Sequence, residues 1–143
     1  MESKMYRFTL SREEKERVRE CIRAALEPHG EILFATLHGS FLLDVPFEDI
    51  DVAVYLREGS VGAEEYLRYA FRLADELEKQ VGLPVDVQVL NEAPRGMQFS
   101  ATAGELLLSR DEELRCNFLE RLWLEIMDFD YHARQMLKEA FQG

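Results

Sequence analysis

The chain has 143 residues, 47% apolar and 31% charged, the composition of a globular domain with a real core. Its net charge of −11 argues against a nucleic-acid partner, because non-specific binding depends on Lys and Arg neutralising phosphates, and suits a neutral partner or an anion screened by a metal. No apolar run approaches the ~20 residues of a membrane span, and the opening MESKMYRF lacks a secretory h-region, so the expected location is the cytoplasm, with no membrane partner.

The first expected element is a helix. Ser11 with Glu14 three residues on forms a capping box, Val18, Ile22 and Ala25 follow at helical spacing, and Pro28 closes the segment. Residues 31–37, EILFATL, are a short apolar run between turn residues and predict a buried strand. DIDVAVYL (49–56) predicts a second strand, and the intervening loop is too short for a crossover helix, so the two strands should be antiparallel neighbours. After the loop REGSVG, the stripe Tyr66, Ala70, Leu73, Leu77 and Val81, widened by Leu67, Phe71 and Ala74, predicts a well-packed helix over about 63–81, ended by Gly82 and Pro84. VDVQVL (85–90) alternates as a third strand, ELLLSR (105–110) reads as a short fourth, and residues 111–141 carry a strongly apolar helical pattern. The chain therefore predicts one α/β (α+β) domain over residues 1–143, with a small mixed sheet and packed helices. Cys21 and Cys116 are expected to be buried free thiols, and the absence of C-x-x-C with only three His argues against zinc.

The chemistry concentrates around HGS at 38–40, DID at 49–51 and VDV at 85–87. Side chains at i and i+2 of a strand share a face, which sets Asp49 and Asp51 about 6.6–7 Å apart along the chain. Val85 and Val87 point to the core, so Asp86 points away from it. If the third strand lies beside the second, three carboxylates converge and need a positive charge between them. Mg²⁺ takes oxygen ligands and is commonly held by carboxylates together with substrate phosphates, and two such ions can serve an in-line displacement at phosphorus. Gly39 allows a phosphate close to the backbone, and the Ser40 hydroxyl can donate to it. Singly, a Gly-Ser pair is an ordinary turn and an Asp-x-Asp an ordinary strand end; the inference rests on their order and spacing.

This arrangement resembles the minimal nucleotidyltransferases of the polymerase-beta-like superfamily. The likeness runs from about residue 31 to 130 and includes VLNEAP at 89–94 and DFD at 128–130. It implies a small palm over about residues 31–91 followed by a long C-terminal helix. It also implies that Asp49, Asp51 and Asp86 form a catalytic, metal-binding set for two Mg²⁺ ions, with Gly39 and Ser40 gripping the triphosphate of ATP. Many members of that family are antitoxins that silence a helical HEPN ribonuclease toxin by attaching AMP to one of its tyrosines. The implied activity is thus Mg²⁺-dependent AMP transfer to a partner hydroxyl. In one departure from the family pattern, the spacer FLLDVPFE sets Leu43 and Asp44 where an Arg-Gly step is expected, which implies a weaker grip on the triphosphate. Arg95, just after the third strand, is a candidate substitute. Two further readings stay open: an antitoxin of the same fold that neutralises its partner by occlusion, and an adenylyltransferase of a small molecule. The surplus of apolar residues over 111–141, with Trp123 as anchor, predicts an interface with the HEPN-like partner or a second copy of the chain. His38 is expected to be packed or hydrogen-bonded, and His29 to sit where a cation suits the end of the first helix.

Overall fold

A computed structural model describes residues 6–141. Helix α1, Arg12–Leu26, starts at the expected box: the Ser11 hydroxyl accepts from the Glu14 amide, and the Glu14 carboxylate accepts from the Ser11 amide. Strand β1, Ile32–His38, leads through a single 3₁₀ turn, Ser40–Leu42, to β2, Ile50–Leu56. Helix α2, Tyr66–Val81, then crosses to β3, Val85–Val89. Gly82 ends α2 in the left-handed conformation, φ 73°, as the sequence requires. Helix α3, Arg95–Thr102, strand β4, Glu105–Ser109, and helix α4, Glu112–Phe141, complete the chain.

The sheet is mixed, in the order β3-β2-β1-β4. β1 runs antiparallel to both β2 and β4, while β2 and β3 are parallel, as the crossover through α2 demands. Alternation along the strands divides the sheet's side chains between two faces. Ala35, Leu37, Val52, Val54, Val85 and Val87 pack under α1 and α2, against Ile22, Leu26, Leu73 and Leu77. Phe34 and Ala53 face the other way, where Ala101 of α3 and Leu114 and Phe118 of α4 cover them. The Thr36 hydroxyl ties α3 down by donating to the Ala101 carbonyl at 2.9 Å. This second cover stops short of the β1–β2 turn, and there the sheet face stays open.

Several expectations need correction. Leu67 and Phe71 do not widen the packed stripe of α2: they are 69% and 67% exposed, because Ala70, Leu73 and Leu77 already fill the contact with the sheet and α1. Cys116 is exposed and Cys21 only half-buried, though both thiols are free. Helix α3 had no place among the expected elements, since Gly96 and a weak apolar pattern hide it; Pro94 immediately before it is the signal that could have found it. No helix among the described residues is long and apolar enough to cross a membrane.

Candidate active site at the open end of the sheet

Asp51 and Asp86 stand directly opposite each other across the parallel β2–β3 pair, and His38 stands opposite Asp51 on β1. Asp49 lies just before β2. Each of the three aspartates offers an oxygen within 4.8 Å of the others, with Asp49 and Asp51 half-buried and Asp86 exposed. Burial, and then the neighbouring Asp86 and Glu48 charges, push the Asp49 carboxyl above the usual range. Burial pushes Asp51 up as well, joined by Asp49 and Asp86 and partly opposed by His38. The cluster thus resists full ionisation without a cation. Two oxygens on one octahedral Mg²⁺ with bonds of ~2.1 Å lie about 2.9 to 4.2 Å apart. A 4.8 Å spread is therefore within a small side-chain adjustment of one ion, or suits a pair of ions ~3.5–4 Å apart. An all-oxygen, all-carboxylate donor set fits that metal class.

The Gly-Ser turn is built against the same carboxylates. Gly39 has φ 82° and ψ −163°, a conformation that L side chains rarely adopt. A Cβ at this position would also run into Asp51 Oδ2. Phe41 anchors the turn in the core and meets Phe47 edge-on at 5.1 Å between centroids. Ser40 and Asp49 line one cavity at this end of the sheet. A larger concavity of about 710 Å³, beneath Tyr55, Phe118 and Arg121, has none of the three aspartates in its wall.

Lys15, which carries no signal in the sequence pattern, clamps the turn from α1. Its Nζ donates to the Phe41 carbonyl at 2.7 Å and the Leu43 carbonyl at 2.8 Å, and lies 5.2 Å from the Phe41 ring centroid. Lys15→Met keeps the stem and removes the charge. It is expected to lower stability by about 1–2 kcal/mol and to speed hydrogen exchange at the Leu42 and Leu43 amides, which bond within the turn. Wild-type exchange at those two amides in the variant would show that the turn stands without the clamp.

Gln88 is a second residue missed, although it lies two positions after Asp86 and so on its face. Its Oε1 accepts from His38 Nε2 at 2.8 Å, and its Nε2 donates to Asp86 Oδ2. The donation to a carboxylate sets the amide orientation, which in turn requires the proton on His38 Nε2. His38 is therefore hydrogen-bonded, as expected. His29 bridges Glu31 at 3.3 Å and Glu76 at 3.0 Å, joining the end of α1 to α2. Arg95 is not a substitute phosphate contact: it begins α3 beyond the C-terminal end of β3, while the acids lie at the N-terminal ends of β2 and β3, and it approaches Glu125 at 3.9 Å.

The sequence profile described as polymerase beta, nucleotidyltransferase, matches residues 20–113 of the 143. The chain belongs to this nucleotidyltransferase family. No curated protein sequence matches it. Solved structures share the fold at low identity. One is a tri-AMPylated Shewanella oneidensis HEPN toxin in complex with MNT antitoxin, with 15% identity, 88% of this chain and 98% of that chain covered, and a TM-score of 0.64. Another is the toxin–antitoxin MntA–HepT, at 14% identity, 87% and 97% coverage and a TM-score of 0.63. A third is a toxin–antitoxin with AMP-PNP, at 15% identity, 85% and 97% coverage and a TM-score of 0.65. The nucleotidyltransferase fold thus comprises the four-stranded mixed sheet, its packed helices and the long α4.

Proposed function

We propose that this nucleotidyltransferase transfers AMP from ATP to a hydroxyl of a HEPN-type toxin, a tyrosine by family resemblance, and so acts as its antitoxin in the cytoplasm. The observation that carries the reading is the convergence of Asp49, Asp51 and Asp86 on the open sheet face. Residues 1–143 act as one unit, with the palm over about 31–91 carrying the site.

In this reading Asp49, Asp51 and Asp86 hold Mg²⁺, and Gly39 and Ser40 bind the triphosphate. The bound ions would neutralise charge on the phosphates and on the departing pyrophosphate. The Gly39 backbone, bare of a Cβ, lets the phosphates approach, and Ser40 donates to their oxygens. Asp86, the exposed member, either completes the metal set or accepts the proton of the acceptor hydroxyl. The acceptor oxygen bonds to the α-phosphorus as the bond to pyrophosphate breaks. Positioning and charge neutralisation supply most of the effect, as in phosphoryl transfer generally.

The partner is supported by the related complexes, which pair HEPN toxins with MNT antitoxins, and by α4. Beyond Leu122 this helix is largely exposed, with Trp123 52% and Phe129 70% open to solvent alongside Leu124, Met127, Tyr131 and Leu137. Such a patch marks an interface. Trp123 touches Phe99 edge-on at 5.0 Å but is half open to solvent. Trp123→Ala should therefore cost about 1 kcal/mol of monomer stability, well short of the ~3–5 kcal/mol of a buried aromatic, while weakening assembly in a sizing column coupled to light scattering. Normal assembly with a much lower melting temperature would place Trp123 in the core and move the interface elsewhere.

Calorimetry with Mg²⁺ or Mn²⁺, with and without ATP, followed by mass spectrometry of the partner for added AMP, tests the activity. No metal-dependent nucleotide binding at millimolar concentrations would remove the enzyme reading. The occlusion reading would then stand; it is favoured by the short spacer and by exposed Leu43 and Asp44, which stand where the family pattern has Arg-Gly.

A further inference from the structure

The spacer FLLDVPFE carries no cation, yet the fold brings one to the site from a distant part of the chain. Phe8 and Phe47 form an isolated two-way backbone bridge, with N–O distances of 2.7 and 3.0 Å, and their rings lie 5.9 Å apart. The bridge pins the segment before α1 to the loop before β2, and so sets Arg7 beside Glu48. Arg7 Nε lies 3.7 Å from Glu48 Oε1, longer than a hydrogen bond, with both side chains largely open to solvent. Arg7, Ser40, Val45, Pro46, Glu48 and Asp49 line a cavity of about 510 Å³. Among the described residues lining it, Arg7 is the single cation, and it shares the wall with Ser40 and with one of the three clustered aspartates.

We propose that Arg7 binds the polyphosphate tail of the nucleoside triphosphate in this cavity, and that Glu48 is its resident counter-charge, displaced when the phosphates arrive. The inference rests on the nucleotidyltransferase reading above and adds to it a cation facing the cavity, since the Lys15 ammonium is already bonded to the Phe41 and Leu43 carbonyls of the turn. A guanidinium presents a planar fork of donors that matches phosphate oxygens two at a time. Without ligand, Glu48 holds this fork over the cavity through a long, solvated pair that is weak enough to exchange. Phosphate offers more negative charge and shorter bonds, so Arg7 changes partner while the Phe8–Phe47 bridge keeps its backbone in place. The acid-rich surroundings then gain a use: they discourage loosely held anions, and admit a triphosphate that arrives with a divalent ion.

The test is calorimetry on the full chain in Mg²⁺, with three probes: a non-hydrolysable ATP analogue, inorganic tripolyphosphate and AMP. Arg7→Gln should weaken binding of the analogue and of tripolyphosphate about tenfold and leave AMP within about twofold, since AMP lacks the tail. Glu48→Gln should tighten the two tailed probes about threefold by releasing Arg7. That gain should vanish in the double variant Arg7→Gln/Glu48→Gln, which separates exchange at Arg7 from a general reduction of negative charge. Wild-type affinity for the tailed probes in Arg7→Gln, or a Glu48→Gln gain that survives without Arg7, would overturn the proposal while leaving the nucleotidyltransferase reading intact. If the wild-type protein binds no tailed probe in either Mg²⁺ or Mn²⁺, both fall together. Arg7 is 66% exposed, so the substitutions should leave the melting temperature near that of the wild type.

Discussion

Asp51→Asn is expected to reduce nucleotidyl transfer by about 10³-fold or more while leaving the metal-free protein as stable as the wild type, or more so. The activity loss follows from the position of Asp51 in the carboxylate cluster: the electrostatic contribution of a catalytic divalent ion is several kcal/mol, and each ~1.4 kcal/mol is tenfold in rate. The stability effect follows from the direction of its titration. Burial and the neighbouring Asp49 and Asp86 carboxylates raise the Asp51 pKa in the folded protein. The folded state then holds this proton more tightly than the unfolded chain does. Stability is therefore greatest below the ordinary carboxylate range and falls as pH rises through the raised folded value. Asparagine carries no proton to lose, so the variant should lack that decline. Melting curves between acid and neutral pH, in chelator, compare the two directly. A variant melting several degrees below wild type at neutral pH would show that Asp51 anchors a structural contact rather than storing repulsion for a metal.

Gly39→Ala should damage both fold and binding. The left-handed backbone costs a non-glycine residue about 1–3 kcal/mol where the structure holds it there. The added Cβ must in addition displace the Asp51 carboxylate, whose Oδ2 occupies that space. The turn cannot shift away cheaply, because Phe41 anchors it in the core, so the Asp51 carboxylate must rotate out of its place beside Asp49 and Asp86. The expected result is a loss of about 2–3 kcal/mol in denaturant unfolding together with loss of metal-dependent nucleotide binding. Binding at wild-type affinity in a folded Gly39→Ala protein would mean that the turn can rearrange, and that close backbone approach is not what Gly39 supplies.

The order of elements, α3 excepted, was legible in the sequence because it depends on local signals. The Ser11–Glu14 box, the Val-rich run at 50–56, the α2 stripe and the Gly82 stop each act within a few residues, and the structure has all of them. The outward direction of Asp86 was legible too, because the period of two along a strand is fixed by the pleat. The surplus apolar pattern of α4 could be read, but not which part of the helix is covered. That depends on where α3 and the sheet end, near Leu122, and therefore on packing.

The sequence by itself thus determined the strand–turn–strand frame, the antiparallel β1–β2 pair and the presence of two acids at the start of β2 and one at the start of β3. Only the tertiary structure decided that Asp51 and Asp86 are directly opposed, that β4 takes the far edge beside β1, and that α3 and α4 together cover Phe34 and Ala53 on the second face of the sheet. It alone supplied the helpers: Lys15 on the turn, 26 and 28 residues from its acceptors, His38 on Gln88 across 50 residues, and Arg7 beside Glu48. The physical reason is the range of the forces involved. Caps, turns and side-chain periodicity are set by backbone geometry over one or two turns of chain, whereas a hydrogen bond or ion pair between distant residues leaves no periodic trace and exists only once the two hydrophobic faces of the sheet have been buried.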